Sequence, residues 1–355
     1  MQALERLQSK LASGEAMLIY EDCVIHWLTG FSTDFGVVGI TKNNAFFITD
    51  GRYSEAASRV VTNMKIFSTT QLTGEANLQF AKENVHTIYL EQKHTTLFQL
   101  DTRRAILSHY ELITNNQLDF WITQERAKKT PEEIHNLKLA QQLTDDGFSY
   151  ILNHIAAGKT EKEIALDLEF YMRKQGADAT AFDFVVVSGK NTSLPHGVPS
   201  DKPLENGDFV TLDFGAVVKG MHSDMTRTVA IGSVSEKQQK VYDIVLKAQE
   251  TCLKCLRAGL PCVYADKLAR DAIEKFGYGT YFSHSTGHGV GFAIHEAPTL
   301  SPKSQDGDLQ VGNVVTVEPG IYIPGEFGVR IEDMAYILPE GIENLTKSKK
   351  TLLVL

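Results

Sequence analysis

Two short segments of this chain carry acids at matching places. Val210-Thr211-Leu212-Asp213-Phe214-Gly215 is echoed by Val315-Thr316-Val317-Glu318-Pro319-Gly320. A second element follows each copy: Gly220-Met221-His222-Ser223-Asp224 and Gly328-Val329-Arg330-Ile331-Glu332, each with a carboxylate as its fifth residue. One acid in a strand is by default an outward-facing residue, because an isolated buried carboxylate is very costly. Four at matched positions predict two related halves that fold face to face around a shared cluster. Such a cluster repels itself and titrates upward unless cations hold it. The pattern is the outline of a two-metal site.

Nitrogen ligands are few. The candidates gather in His284-Ser285-Thr286-Gly287-His288-Gly289-Val290-Gly291, with His295 beyond. The glycines predict a loop or strand edge, so His284 and His288 are not a helical i,i+4 pair. One histidine with four carboxylates is an oxygen-rich donor set. It suits Mn²⁺, with Co²⁺ or Zn²⁺ as alternatives, better than a thiolate or poly-histidine site would. Two divalent metal ions roughly 3.5–4 Å apart would hold a shared hydroxide and polarise a carbonyl. That arrangement hydrolyses an amide without a serine or cysteine nucleophile. Histidines nearby are then wanted for the oxyanion and the leaving amine. His196 and His295 sit in turn-like contexts suited to this, though for either one alone a bland surface or core histidine is an equal reading.

The elements that must position these residues repeat as well. Thr130-Pro131-Glu132-Glu133 opens a helix with Thr as N-cap, Pro at the first position and Glu three residues after the cap. Ile134, Leu137, Ala140, Phe148, Ile151 and Ile155 keep helical spacing up to Ala157-Gly158. Thr160 to Glu163 caps a second helix that runs toward Gly176. Ser235 to Gln238 then caps a long helix to Ala258-Gly259, and a further helix ends near Gly277. Gly158 and Gly176 each precede their counterparts, Gly259 and Gly277, by 101 residues. A repeat of this length implies two αβ halves about a pseudo-two-fold axis rather than a solenoid. Asp213 and Glu318, each ending an apolar run, are expected at a sheet edge facing a cleft.

At 355 residues two domains are expected. Residues 1–123 read as α/β, with strands around 16–20, 35–40, 45–49, 65–67 and 87–90 and helices near the N-terminus, at 53–63 and at 95–109. Gln124 to Lys129 reads as a polar linker, and 124–355 as the catalytic domain. Hydrophobic content of 43% and charged content of 22% are those of a globular protein with sizeable cores. A net charge of −9 argues against a nucleic-acid binder or a partner of anionic membranes. No apolar run reaches membrane-spanning length and no signal peptide is evident, so a cytoplasmic protein is expected. Four cysteines suit a reducing compartment. Cys252 and Cys255 form a CxxC within a helical pattern and lack a second pair, so they read as structural thiols.

Taken together, Pro195-His196-Gly197, Leu212-Asp213-Phe214-Gly215, Ser223-Asp224, Gly287-His288-Gly289-Val290-Gly291, His295-Glu296-Ala297-Pro298, Glu318-Pro319-Gly320 and Arg330-Ile331-Glu332-Asp333 resemble the pita-bread metallopeptidases, in the branch of aminopeptidase P and prolidase. The resemblance spans about 124–355. It implies an α+β fold: a C-terminal pita-bread domain with an internal pseudo-two-fold repeat, plus a smaller creatinase-like N-terminal α/β domain. It also implies that Asp213 binds one metal, His288 and Glu318 the other, and that Asp224 and Glu332 bridge them. Glu318 would act as general base, His295 and His196 would steady substrate and intermediate, His284 would line the pocket, and Arg330 would support from behind. Creatinase-like relatives work without this ligand set, and methionine aminopeptidases place their last ligand in a different context. Phe292-Ala293 departs from the Leu-acid pair of many relatives, which touches the substrate pocket rather than the ligands. Thr29-Gly30-Phe31-Ser32 and Asp50-Gly51-Arg52-Tyr53 look more like aminopeptidase P than prolidase. The reading is therefore an Xaa-Pro aminopeptidase acting on short proline-containing peptides, with Xaa-Pro dipeptidase as the close alternative and a non-catalytic binding protein as the remote one. By the same resemblance the N-terminal domain packs against a partner subunit and restricts the cleft, which implies a homodimer.

Overall fold

In the computed structural model, which describes residues 3–355, the chain forms two compact units, Met1–Arg126 and Ala127–Leu355. The first is built on a six-stranded mixed sheet. A central antiparallel trio, Glu15–Ile19, Gly36–Thr41 and Ala45–Thr49, is extended by parallel strands: Lys65–Ser68 on one side, Thr87–Leu90 and Glu111–Ile113 on the other. Its core gathers Leu18, Val37, Phe46, Ile48, Phe80 and Ile88.

Several local expectations shift. The helix read over 53–63 is only Ser54–Ser58, and the one over 95–109 is Leu97–Ile106, started by a Thr96–Gln99 capping box. Helices Asp22–Thr29 and Leu72–Lys82 had no clear signal. The polar stretch after residue 123 is not a linker at its start, because helix Gln117–Ala127 runs through it. Glu, Arg and Ala are good helix formers. Glu125 also takes ion pairs from Arg6 and Lys10, and Arg126 lies 3.8 Å from Glu21.

The second unit repeats one plan twice. Helices Pro131–Ile151 and Glu161–Lys174 cover the first half; Glu236–Cys255 and Cys262–Glu274 cover the second. Thr130, Thr160 and Ser235 each close a reciprocal capping box with the residue three positions on. In the first half Phe148, Ile151, Ile164 and Leu168 pack on Val186, Leu212 and Phe214. In the second, Cys252, Leu256, Ala265 and Ala269 pack on Val315, Val317 and Ala335. The Cys252 thiol is buried and donates to the Ala265 carbonyl at 3.4 Å, and none of the four cysteines is in a disulfide. No helix among the described residues is long and apolar enough to cross a membrane.

The repeat extends to single hydrogen bonds. Gly158 N–H donates to the Leu204 carbonyl and Gly259 N–H to the Leu309 carbonyl, both at 2.8 Å. Those two glycines have φ of +91° and +78°. A β-carbon at either would meet no atom within 4 Å, so conformation alone demands glycine there. The acid-bearing strands are likewise matched. Phe209–Phe214 pairs antiparallel with Met225–Ala230, and Val314–Val317 pairs antiparallel with Asp333–Ile337. The two halves are stitched where the Glu332 N–H donates to the Thr226 carbonyl.

A fully buried arginine reinforces that stitch. Arg227 donates to the carbonyls of Thr226, Glu332, Ser348 and Lys349, and its Nη2 reaches Asp333 at 2.8 Å. Asp333 also accepts from Lys350 and Asn344. Burial would raise its proton affinity, yet Arg227 and Lys350 hold its carboxyl below the usual aspartate range. Asp145 closes the same strap from the other side by accepting from the backbone of Lys347 and Ser348.

Gly158→Ala and Gly259→Ala should each destabilise the fold by about 1 kcal/mol, because an L-residue is strained at positive φ. The two costs should add, since the sites share no partner. Denaturant unfolding of the single and double variants measures this. A neutral Ala at either place would mean that the loop relaxes out of the left-handed conformation.

Candidate metal and catalytic centre

All four repeated acids and His288 converge within the second unit. Asp213 lies at the end of Phe209–Phe214, which is the central strand of its sheet rather than an edge strand. Asp224 follows Met221–His222, and Glu318 follows Val314–Val317. Glu332 sits in the turn between Phe327–Arg330 and Asp333–Ile337. His288 occupies the middle of the short strand Gly287–Gly289, between Glu296–Leu300 and Val314–Val317. Asp224, His288 and Glu332 each offer a ligand atom within 4.8 Å of the others. His288 Nε2 lies 3.4 Å from Glu318 Oε1 and 3.6 Å from Asp224 Oδ2.

The polar surroundings orient these groups. His288 Nδ1–H donates to the Gly289 carbonyl at 3.0 Å, which leaves the Nε2 lone pair facing the acids. Thr316 donates to Glu318 Oε1, and Thr226 donates to Glu332 Oε2 at 2.8 Å. Arg330 is buried and spreads its fork over four partners: Asp213 Oδ2, the Thr226 hydroxyl, the Pro195 carbonyl and the Tyr322 hydroxyl. Tyr322 in turn donates to His284 Nε2 at 2.8 Å, while His284 Nδ1–H donates to the Ser285 carbonyl. Both nitrogens of His284 are thus engaged by the protein. Burial, with the Arg330 charge adding to it, lowers its proton affinity to about 4, so the ring is neutral.

The expected histidines are placed differently. His295 is exposed, with its ring edge-on to His288 at 4.5 Å between centroids. Burial and the neighbouring His288 lower its proton affinity below that of an ordinary imidazole. His196 is exposed on the segment after the 3₁₀ turn Gly189–Ser193, close enough for its charge to bear on both His284 and His295. Phe292 packs beside Val290, Val314 and Ile134, and Ala293 N–H donates to Glu296. Arg52, in the first unit, is bound to Asp50 and stacks over Phe35 and Tyr53.

Sequence reasoning missed Thr226, Thr316 and Tyr322. Two threonines in strands look like ordinary β-formers, and the position of Tyr322 in Gly320–Ile323 carries no signal beyond alternation. It also missed Asp266, fully buried. Asp266 binds Arg270 through both oxygens and takes the Thr286 N–H and hydroxyl, while Arg270 holds the His284 carbonyl. The backbone that leads into His288 is fixed by that pair.

The electrostatics test whether cations fit. Burial and the negative charges of Asp213 and Glu318 push the Asp224 carboxyl well above its ordinary range. Burial and Asp224 do the same to Glu332. Burial raises Glu318 to about 8 despite Arg330 nearby. Asp213 Oδ1 and Glu332 Oε1 are buried and accept no hydrogen bond from the protein. One arginine and two hydroxyls do not satisfy four carboxylates. Divalent cations would supply the missing charge and take the orphaned oxygens, so the residues present fit a metal centre.

Comparison with known proteins agrees with this chemistry. Residues 135–339 match metallopeptidase family M24, and residues 4–118 match the creatinase/prolidase N-terminal domain. An Xaa-Pro dipeptidase from Bacillus anthracis is similar in structure, with a TM-score of 0.94 and 43% identity over 100% of this chain and 99% of that one. An X-Pro aminopeptidase from Thermotoga maritima MSB8 has a TM-score of 0.90 and 34% identity over 98% of this chain and 100% of the other. An Xaa-Pro dipeptidase of Pyrococcus furiosus is 43% identical over 237 residues, 67% of this chain and 68% of that protein. The chain belongs to metallopeptidase family M24, and its α+β fold with a creatinase-type N-terminal domain is that of its pita-bread relatives.

The raised carboxyls give a signed pH dependence. Between the ordinary glutamate value of 4.5 and about 8, the folded, cation-free protein keeps protons that the unfolded chain releases. Stability of that form therefore falls as pH rises through the window, by up to about 1.4 kcal/mol per pH unit for each retained proton. Chelator-treated protein should melt at a lower temperature at pH 8 than at pH 6, and saturating Mn²⁺ should abolish the difference. Differential scanning fluorimetry reads both arms. A chelated protein that melts higher at pH 8 would contradict the proposed proton affinities.

Proposed function

We propose that this member of metallopeptidase family M24 is a proline-specific exopeptidase that hydrolyses Xaa-Pro dipeptides. Two divalent cations would be held by Asp213, Asp224, His288, Glu318 and Glu332, with Asp213 on one, His288 and Glu318 on the other, and Asp224 and Glu332 shared. The observation that carries the reading is the convergence of two buried acids, Asp224 and Glu332, two half-buried ones, Asp213 and Glu318, and one oriented imidazole, with two oxygens left unsatisfied. The oxygen-rich donor set favours Mn²⁺ over Co²⁺ or Zn²⁺. Bound there, the cations would lower the proton affinity of a water between them and polarise the scissile carbonyl.

The chain's own residues supply the rest. Glu318, 3.4 Å from His288 Nε2, would take a proton at its carboxylate and return it to the leaving proline nitrogen. His295, exposed beside His288 and neutral at pH 7, offers a hydrogen bond to the substrate or the developing oxyanion. His196 serves the same substrate from its loop. Arg330 holds Asp213 in place, and Tyr322 with His284 forms the wall behind it. The N-terminal unit would restrict access to short peptides and carry homodimer contacts. A reducing, cytoplasmic setting belongs to the same reading and is supported by four cysteines that form no disulfide.

The sequence motifs around Phe31 and Arg52 favoured an aminopeptidase. The relatives lean the other way, since the two at 43% identity are Xaa-Pro dipeptidases. Arg52 is occupied by Asp50, which weakens the motif argument. An Xaa-Pro aminopeptidase remains the second reading, supported by the likeness to the Thermotoga maritima enzyme.

Two measurements check the proposal. Mn²⁺-loaded protein should cleave an Xaa-Pro dipeptide and leave the tripeptide Xaa-Pro-Yaa intact; efficient release of the first residue from the tripeptide would move the assignment to aminopeptidase. Asp213→Ala and Glu332→Ala should each reduce turnover to background with the fold largely retained by circular dichroism. Normal turnover in either variant would refute the ligand assignment.

A further inference from the structure

Glu161 stands outside the site yet binds more of its surroundings than any acid within it. It is the first residue of helix Glu161–Lys174 and is fully buried. Its Oε1 accepts from the Ser188 N–H at 2.6 Å, the Ser188 hydroxyl at 2.9 Å and the Asn191 amide at 3.0 Å. Its Oε2 accepts from the Ser200 N–H at 3.0 Å and the Ser200 hydroxyl at 2.6 Å. Ser188 and Ser200 are the two feet of the segment that carries His196. Lys162 N–H to the Ser200 carbonyl, and Lys202 Nζ to the Ser188 hydroxyl, tighten the same junction.

The crown of this segment is held from the other side. Arg330 Nη1 donates to the Pro195 carbonyl at 3.1 Å, while its Nη2 binds Asp213. The Gly328 N–H donates to the Thr192 hydroxyl at 2.8 Å. Between these fixed points Leu194, His196 and Val198 stand exposed. A loop whose tip carries a functional side chain holds that side chain only as well as its feet are held.

We propose that Glu161 is a positioning residue for His196: it clasps both feet of loop 188–200 on one carboxylate and so fixes the imidazole over the centre. The inference rests on the peptidase reading above. The carboxylate suits the task because it is acceptor-only and can take five donors at once. Glutamine has nearly the same shape but presents an NH₂ where a serine N–H or hydroxyl must donate, so one foot is released.

The test is a double-mutant cycle on Mn²⁺-loaded protein with an Xaa-Pro dipeptide. Glu161→Gln should keep the metal content of the parent and lose roughly 10–100-fold in kcat/KM, mainly in kcat. In a His196→Ala background the same substitution should cost nothing further, because the group it positions is gone. Hydrogen exchange of amides 188–200 should quicken in Glu161→Gln while amides around His288 stay protected. Should Glu161→Gln fail to fold, Ser200→Ala, which removes one of the two bonds from that foot to Glu161 and so loosens it, should show the same non-additivity at smaller amplitude. Full activity in the folded variant, losses that multiply with His196→Ala, or unchanged exchange of the loop would each overturn the proposal. Failure of the peptidase reading is distinct: the parent protein would not cleave the peptide, while the exchange arm would still report on the clasp.

Discussion

Four carboxylates gathered at one place repel one another, and the rest of the catalytic unit is arranged to keep them together. Backbone pairing does most of this. Each acid lies at or just beyond the end of a strand, or in the turn between two, so that rigid ladders rather than flexible side chains set the separations. The Glu332 N–H bound to the Thr226 carbonyl fastens the second half to the first. Side-chain neighbours then give the acids unlike settings. Asp213 is bound by the Arg330 guanidinium, whereas Glu318 takes a threonine hydroxyl, faces His288 Nε2 and is pushed by burial up to about 8. Matched positions in the two halves therefore acquire unlike chemistry from what lies beside them.

Function and stability compete at such a centre. The orphaned oxygens of Asp213 and Glu332 are a cost that a purely structural core would not retain. Elsewhere in the same unit, buried acids are saturated: Glu161, Asp266 and Asp333 each engage several donors. The contrast separates structural from functional acids without reference to any relative. In this unit the satisfied buried acids hold backbone, and the unsatisfied oxygens lie where a cation would sit.

Much of this was legible in the sequence. The duplicated strands and helix caps carried the two-half plan, and Gly158 and Gly259 adopt the same left-handed turn in both copies. The four acids and His288 were legible because charges inside apolar strands have few innocent explanations. Other features were not legible, for physical reasons. Thr226 and Tyr322 act through hydroxyls that strands tolerate anywhere. Glu161 resembles any acid in a first helical turn, and only tertiary contact reveals its five donors. Helix Gln117–Ala127 was mistaken for a linker at its end because a polar helix held by ion pairs carries no apolar stripe there.

The buried Arg227 also bears on how the centre can be assembled. Two of its acceptors, the carbonyls of Ser348 and Lys349, and the Lys350 charge that shares Asp333 with it, come more than a hundred residues later in the chain. A ribosome delivers the first half long before them. Until that late strap emerges, the arginine is a charge with too few partners to be buried, and the segment bearing Glu332 lacks its lock. The first half can gather its helices and sheet during synthesis, but the centre itself is a product of the last stretch of translation. Nascent chains arrested before residue 348 would carry every ligand and still have no finished site.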